Sequence, residues 1–223
     1  MKILPNIKKE YLKSWKHLSC IIALIGGIQF IVVTIVAMFF YPDGYSFTED
    51  YFSFLGTTVN VRTYSQNTIS RILFVIACVV AGASLIPFWI VITTLFKDKE
   101  ITRYLSYFGS LLGIIASPLI MGVGIFPGDK MYDIHNFAAR YFFLLFAIAI
   151  LIYSIAILFN ENYQNFYAFI GFGFSVLIVL YIMRVFIQIG PLMQKIIVYG
   201  FIIWATLQVL KIWKRIESEN SVQ

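Results

Sequence analysis

The sequence predicts an all-α integral membrane protein, a six-transmembrane-helix bundle with a long, partly ordered first outer loop. Three observations carry this. Hydrophobic residues fill 60% of the 223 positions and charged residues only 13%, with a mean hydropathy of +0.84, whereas soluble domains are about one quarter charged. The apolar residues gather into six runs, each near the ~20 residues a helix needs to cross roughly 30 Å of hydrocarbon. Those runs are continuously apolar, while barrel strands alternate over about ten residues.

In chain order, residues 1–17 form a basic cytoplasmic arm carrying Lys2, Lys8, Lys9, Lys13 and Lys16. The run 18–41 is too long for the core of a signal peptide and ends in Phe39-Phe40-Tyr41 without a small-residue cleavage site, so it is read as a retained first helix. The loop 42–68 is rich in aromatics and acids, among them Tyr45, Phe47, Glu49, Asp50, Tyr51, Phe52 and Phe54. Aromatic residues favour the headgroup region, so a short interfacial helix or lid over the bundle mouth is expected. Helices follow at 69–96 and 104–126; in the second of these Gly109, Gly113 and Ser117 recur every fourth position, which allows close backbone approach and places it centrally. Gly26-Gly27 and Gly171/Gly173 read the same way. Helices at 134–159, 166–188 and 192–213 and a cytoplasmic tail at 214–223 complete one transmembrane domain spanning 1–223. A faint repeat places Asn67-x-x-x-Arg71 and Asn136-x-x-x-Arg140 at the starts of helices two and four.

Lys and Arg residues set the orientation. Eleven fall on the side of the termini and six on the side of the first loop, so both termini are expected in the cytoplasm of a multi-pass cell-membrane protein. The excess positive charge lies beside membrane segments and is a topology signal, which argues against nucleic acid as a partner and for membrane lipids. Cys20 and Cys78 lie in apolar runs with no CxxC spacing, so they are expected to be buried free thiols.

The stretch Gly124-Ile-Phe-Pro-Gly-Asp-Lys-Met-Tyr-Asp-Ile-His-Asn-Phe-Ala-Ala-Arg140 concentrates the chemistry. Arg71, Arg140 and Arg184 all lie within one or two turns of the outer surface, where an ionisable group is costly and points to function. Guanidinium groups take phosphate or carboxylate through paired hydrogen bonds, so they are the candidate anion holders, assisted by Asn67, Asn136, Gln188, Glu49, Asp50 and Ser53. His135 is the candidate proton carrier, with Asp129 or Asp133 orienting it. On a helix Asn67 and Arg71 share a face, as do Arg184 and Gln188, and Asp133, Asn136 and Arg140; His135 points elsewhere, so it meets Arg140 only in a cavity that wraps around helix four.

The same residues also have a structural reading. Asp133 serves as the N-cap of helix four, and the arginines pair with Glu49, Asp50, Asp129 and Asp133; the chain is then a non-enzymatic component, an assembly partner or small-solute carrier. No nucleophile motif accompanies the cluster, the acids have no regular metal-ligand spacing, and His17 and His135 lie on opposite sides, which argues against haem. No particular cofactor or reaction is implied.

The long first loop with Phe52-Ser-Phe-Leu-Gly56, Asn67 at the start of helix two, and Gly124-Ile-Phe-Pro-Gly-Asp129 followed by His135 and an aromatic helix resemble an uncharacterised prokaryotic membrane family, domain of unknown function 998. That family is similar in turn to the Frag/DRAM/Sfk class, which includes a remodelling factor for glycolipid-anchored proteins. Such families usually show Ser-Asp-Leu-Gly where this chain has Phe54. The resemblance implies six helices and a lipid-related role at the outer face.

Overall fold

A computed structural model describes residues 3–221, with side chains over 15–218. Six long helices make up most of it: α1 Ile3–Phe39, α2 Ile69–Ile92, α3 Glu100–Ile125, α4 Tyr132–Leu158, α5 Asn165–Ile182 and α6 Gly190–Ser221. Each holds a stretch long and apolar enough to cross a membrane. Helices satisfy their own backbone N–H and C=O groups, which hydrocarbon cannot do for them. The chain is an all-α, multi-pass integral membrane protein. Successive helices pack as neighbours from α1 to α5, and α6 closes the bundle against α1, α2 and α5. The first loop, the α3–α4 turn and the α5–α6 link share one end, called the loop end below; both termini lie at the other.

Both terminal segments differ from expectation. The basic arm continues α1 as helix from Ile3, and the tail continues α6 to Ser221. Pro5 falls in the first turn, where its missing N–H has no helical partner to lose. Lys2 lies outside the described residues, as do the side chains of Lys8, Lys9 and Lys13.

The core is aromatic. Trp89 is fully buried and meets Phe88, Phe146, Tyr153 and Trp204 at ring-centroid distances of 5.0 to 6.1 Å. This packing needs glycine on α3, since a Cβ at Gly113 would stand 2.1 Å from the Trp89 ring. The Tyr153 hydroxyl lies 2.6 Å from Ser110 Oγ and donates to the Ser106 carbonyl at 3.0 Å, so a buried polar group is satisfied between α3 and α4. α3 therefore lies between α2 and α4, although α4 has the larger buried share. Of the later glycines, a Cβ at Gly171 would meet Ser154 Oγ at 2.1 Å, whereas Gly173 faces open space and carries no close approach. Cys20 and Cys78 are free and buried.

At the terminal end, Arg215 binds Asp98 at 3.1 Å, and Asn160 Nδ2 donates to the Leu95 carbonyl at 2.9 Å. The α2–α3 and α4–α5 turns thus lie against each other. His17 packs on Trp213 at this end, far from His135.

Candidate functional site

The loop end is roofed by the first loop, which its own polar side chains hold in shape. Asp43 Oδ2 accepts from the hydroxyls of Thr63 and Ser65, Asn60 Nδ2 donates to the Pro42 carbonyl at 2.7 Å, and Val59 bridges Gln66. A 3-10 turn, Phe52–Gly56, turns Phe52 and Leu55 inward so that both are buried. The aromatic side chain expected on the membrane surface at Phe52 is therefore part of the core. Asn67 Nδ2 clamps this turn through the carbonyls of Leu55 and Thr57, each at 3.0 Å, and Gln194 of α6 accepts from the Phe52 N–H at 2.8 Å. Tyr51 closes on the start of α6, where a Cβ at Gly190 would stand 2.4 Å from its hydroxyl.

Beneath this roof lies a cavity of about 730 Å³. Phe30, Phe74, Ile120, Phe142 and Phe143 give it an apolar floor; Ser53, His135, Asn136, Arg140 and Arg184 give it polar walls. His135 and Arg140 stand about 140° apart on α4, and the cavity is wide enough to take in both.

His135 is buried, and its ring lies over Gly128. Its Nδ1 is 2.8 Å from the Phe126 carbonyl. A carbonyl only accepts, so Nδ1 carries the proton and, in the neutral ring, Nε2 presents a lone pair. No protein group among the described residues bonds to Nε2. The orienting group is thus a main-chain carbonyl at the end of α3, in place of the carboxylate that Asp129 or Asp133 was expected to supply.

Arg184 owes its position to the end of α5. The helix stops at Ile182, six residues short of the expected 188. Arg184 N–H donates to the Tyr181 carbonyl and Val185 N–H to the Leu180 carbonyl, the paired bonds of a Schellman ending. Arg184 holds the left-handed place in it at φ +59°, where glycine is usual. Because α5 has ended, Arg184 and Gln188 do not share a helix face; Gln188 lies in the 3-10 turn Ile187–Ile189, outside the cavity lining. Among the described residues neither Arg140 nor Arg184 makes a hydrogen bond or ion pair through its guanidinium, and both are exposed.

The remaining candidates lie elsewhere. Arg71 is half-buried on α2 with its Nε unpartnered, and it does not line the cavity. The Phe52–Gly56 turn sits at the head of α2, with Leu55 O taking both Asn67 and Ser70, and α2 reaches the cavity only deeper, at Phe74 and Cys78. Asn67 precedes the helix, so it shares no helix face with Arg71. Asp50 is buried and occupied by Ser46 N–H and Arg62, and Glu49 lies 3.8 Å from Arg62. Asp133 is exposed in the first turn of α4; the N-cap is Met131, without a side-chain cap. Gln194 and Tyr51, both at the cavity, were missed because Tyr51 is one of several aromatics in the first loop and Gln194 carries no charge to mark it.

Asp129 has a structural task instead. Its carboxylate accepts from the Thr58 N–H at 2.9 Å and from the Thr58 hydroxyl, tying the first loop to the α3–α4 turn. Burial is the largest single influence on this carboxyl and raises its pKa, but the Thr58 donors and Lys130 together hold it below the ordinary carboxylate range. A carboxyl depressed by folding stabilises fully above its unfolded pKa of about 3.9 and loses that contribution as pH falls further. Asp129→Asn is therefore expected to cost no more than about 1 kcal/mol at pH 7, given its exposure to solvent. It should also flatten the acid limb of stability below about pH 4. Melting curves of the two proteins from pH 7 to pH 3 check this; parallel acid limbs would show that the tether contributes nothing.

Residues 24–211 match the model of a family described as a protein of unknown function, DUF998. No curated protein and no solved structure matches the chain.

Proposed function

Because the chain belongs to the DUF998 family, whose description names no function, we propose one from the site: the protein binds the anionic headgroup of a membrane amphiphile in its loop-end cavity and modifies it with His135 as the general acid or base. Arg140 and Arg184 hold the anion, Asn136 and Ser53 add neutral hydrogen-bonding groups, and His135 Nε2 takes or returns a proton. The observation that carries this reading is one cavity whose walls hold two guanidinium groups and an imidazole nitrogen without partners among the described residues, over an apolar floor. Guanidinium forks suit phosphate and carboxylate oxygens, and an apolar floor suits the rest of an amphiphile. With the termini in the cytoplasm, as the Lys and Arg count favours, the headgroup enters from the outer leaflet of the cell membrane.

A purely structural role for the arginines has less support. Glu49 and Asp50, the acids expected to pair with them, are turned to Arg62 instead.

Dodecyl phosphate binding to amphipol-held protein tests the reading. Arg140→Ala is expected to weaken binding roughly tenfold to a hundredfold, the worth of one charge-assisted contact, while the melting temperature stays put. His135→Ala is expected to keep that binding and to lose roughly a hundredfold to ten-thousandfold in conversion of a phospholipid extract followed by mass spectrometry. Arg140→Ala binding as tightly as the native protein, or melting well below it, would overturn the proposal.

A further inference from the structure

A second, narrower cleft lies under the cavity, between α1, α2, α4 and α6. Phe30, Ile120, Phe142, Phe143 and Val198 line both, so the polar cavity and the cleft adjoin. Small residues are among its lining, namely Ala23, Gly26 and Gly27 on α1, Ala81 on α2 and Ala205 on α6. Along α6 it runs from Ile197 to Val209, about 18 Å at 1.5 Å per residue, a little over half of the roughly 30 Å hydrocarbon layer. That is the depth of one leaflet.

Among the described residues no charged one lines the cleft. Its hydroxyls are Ser84 and Thr206, and Ser84 Oγ already donates to the Ala81 carbonyl at 2.8 Å. Water needs two or more polar partners to be held in such a space, so the occupant is apolar. The cleft is also tight, about 70 Å³ against about 730 Å³ above it, which favours one unbranched chain over a ring system or a pair of chains.

We propose that this cleft is the acyl-chain subsite for the anionic membrane lipid whose headgroup lies between Arg140 and Arg184, and that it selects that lipid by the length of a single chain. The assignment rests on the headgroup reading above and adds to it the chain that enters the core. One ligand then spans both chambers, its charge at the loop end and its chain pointing toward the bilayer midplane, in the direction it already has in the leaflet.

Calorimetric binding of inorganic phosphate and of butyl, octyl, dodecyl and hexadecyl phosphate to amphipol-held protein, below their micellisation limits, tests it. Each methylene that enters the cleft is expected to raise affinity roughly threefold to fourfold, with the rise levelling off near the chain length of one leaflet. Ala205→Phe blocks the cleft and is expected to leave butyl phosphate binding unchanged while weakening dodecyl phosphate at least tenfold. Should Ala205→Phe fold poorly, Thr206→Leu gives the same comparison, and the series on the native protein stands without either. A flat series that remains sensitive to Arg140→Ala would overturn the chain subsite and leave the headgroup reading in place. A series that rises with chain length but is insensitive to Arg140→Ala would overturn that reading, and with it this assignment.

Discussion

Lys195→Ala is expected to lose about 3 kcal/mol of stability and to free the first loop from the bundle. Lys195 is 1% exposed although it carries a charge. Its Nζ donates to the Asp50 carbonyl, with the Pro191 carbonyl 3.4 Å away. It also sits 5.2 to 5.3 Å from the ring centroids of Tyr45, Phe47 and Phe52, all three from the first loop. A desolvated cation over an aromatic face contributes about 1 to 2 kcal/mol, and truncating a buried long side chain leaves a cavity that costs more. The relief of no longer burying a charge offsets part of this, which is why the expected sum is moderate. Lys195→Met keeps the stem without the charge and is expected to cost about half as much. Melting temperature and hydrogen exchange over residues 45–56 read the effect. Native-like exchange in Lys195→Ala would show that Gln194, Asn67 and Asp129 hold the roof without it.

Arg184→Gly is expected to move stability and binding in opposite directions. The backbone there is left-handed, which costs a non-glycine residue about 1 kcal/mol. Among the described residues the guanidinium makes no bond that would offset this. Glycine relieves the strain, so the variant is expected to melt a few degrees higher, while losing roughly tenfold to a hundredfold in alkyl phosphate affinity. Strain kept at a position with no structural return is what a functional group on a turn produces. A variant that melts lower than the native protein would mean that the arginine contributes to folding after all.

How much of this was legible beforehand differs by level. The helix count followed from run length, and the glycine spacing in α3 identified a close contact, with Trp89 as its partner visible only in three dimensions. The end of α5 was not legible, because Met183, Val185 and Phe186 around Arg184 are as apolar as a helix interior and the stretch lacks the glycine that marks such endings. The role of Asp129 was misread for a different reason. Its partner, Thr58, lies 71 residues away, and sequence spacing within one stretch cannot show a bond of that range.

His135, Asn136 and Arg140 were grouped by proximity in the chain, and the cavity does take in all three, because it spans a wide arc of α4. Arg71 was grouped with them by its depth alone, and depth does not decide direction. The first loop was read as aromatic and surface-lying, whereas Phe52 and Leu55 turn inward because Asn67 and Gln194 fix the backbone of their turn.

By itself the sequence determined that the chain crosses a membrane six times as helices, because hydrocarbon leaves a backbone almost no other way to satisfy its polar groups. Tertiary structure alone decided which polar side chains meet. That outcome depends on where α5 stops, at a turn closed between Leu180 and Val185, and on where the first loop inserts, which is settled by contacts between residues far apart in the chain.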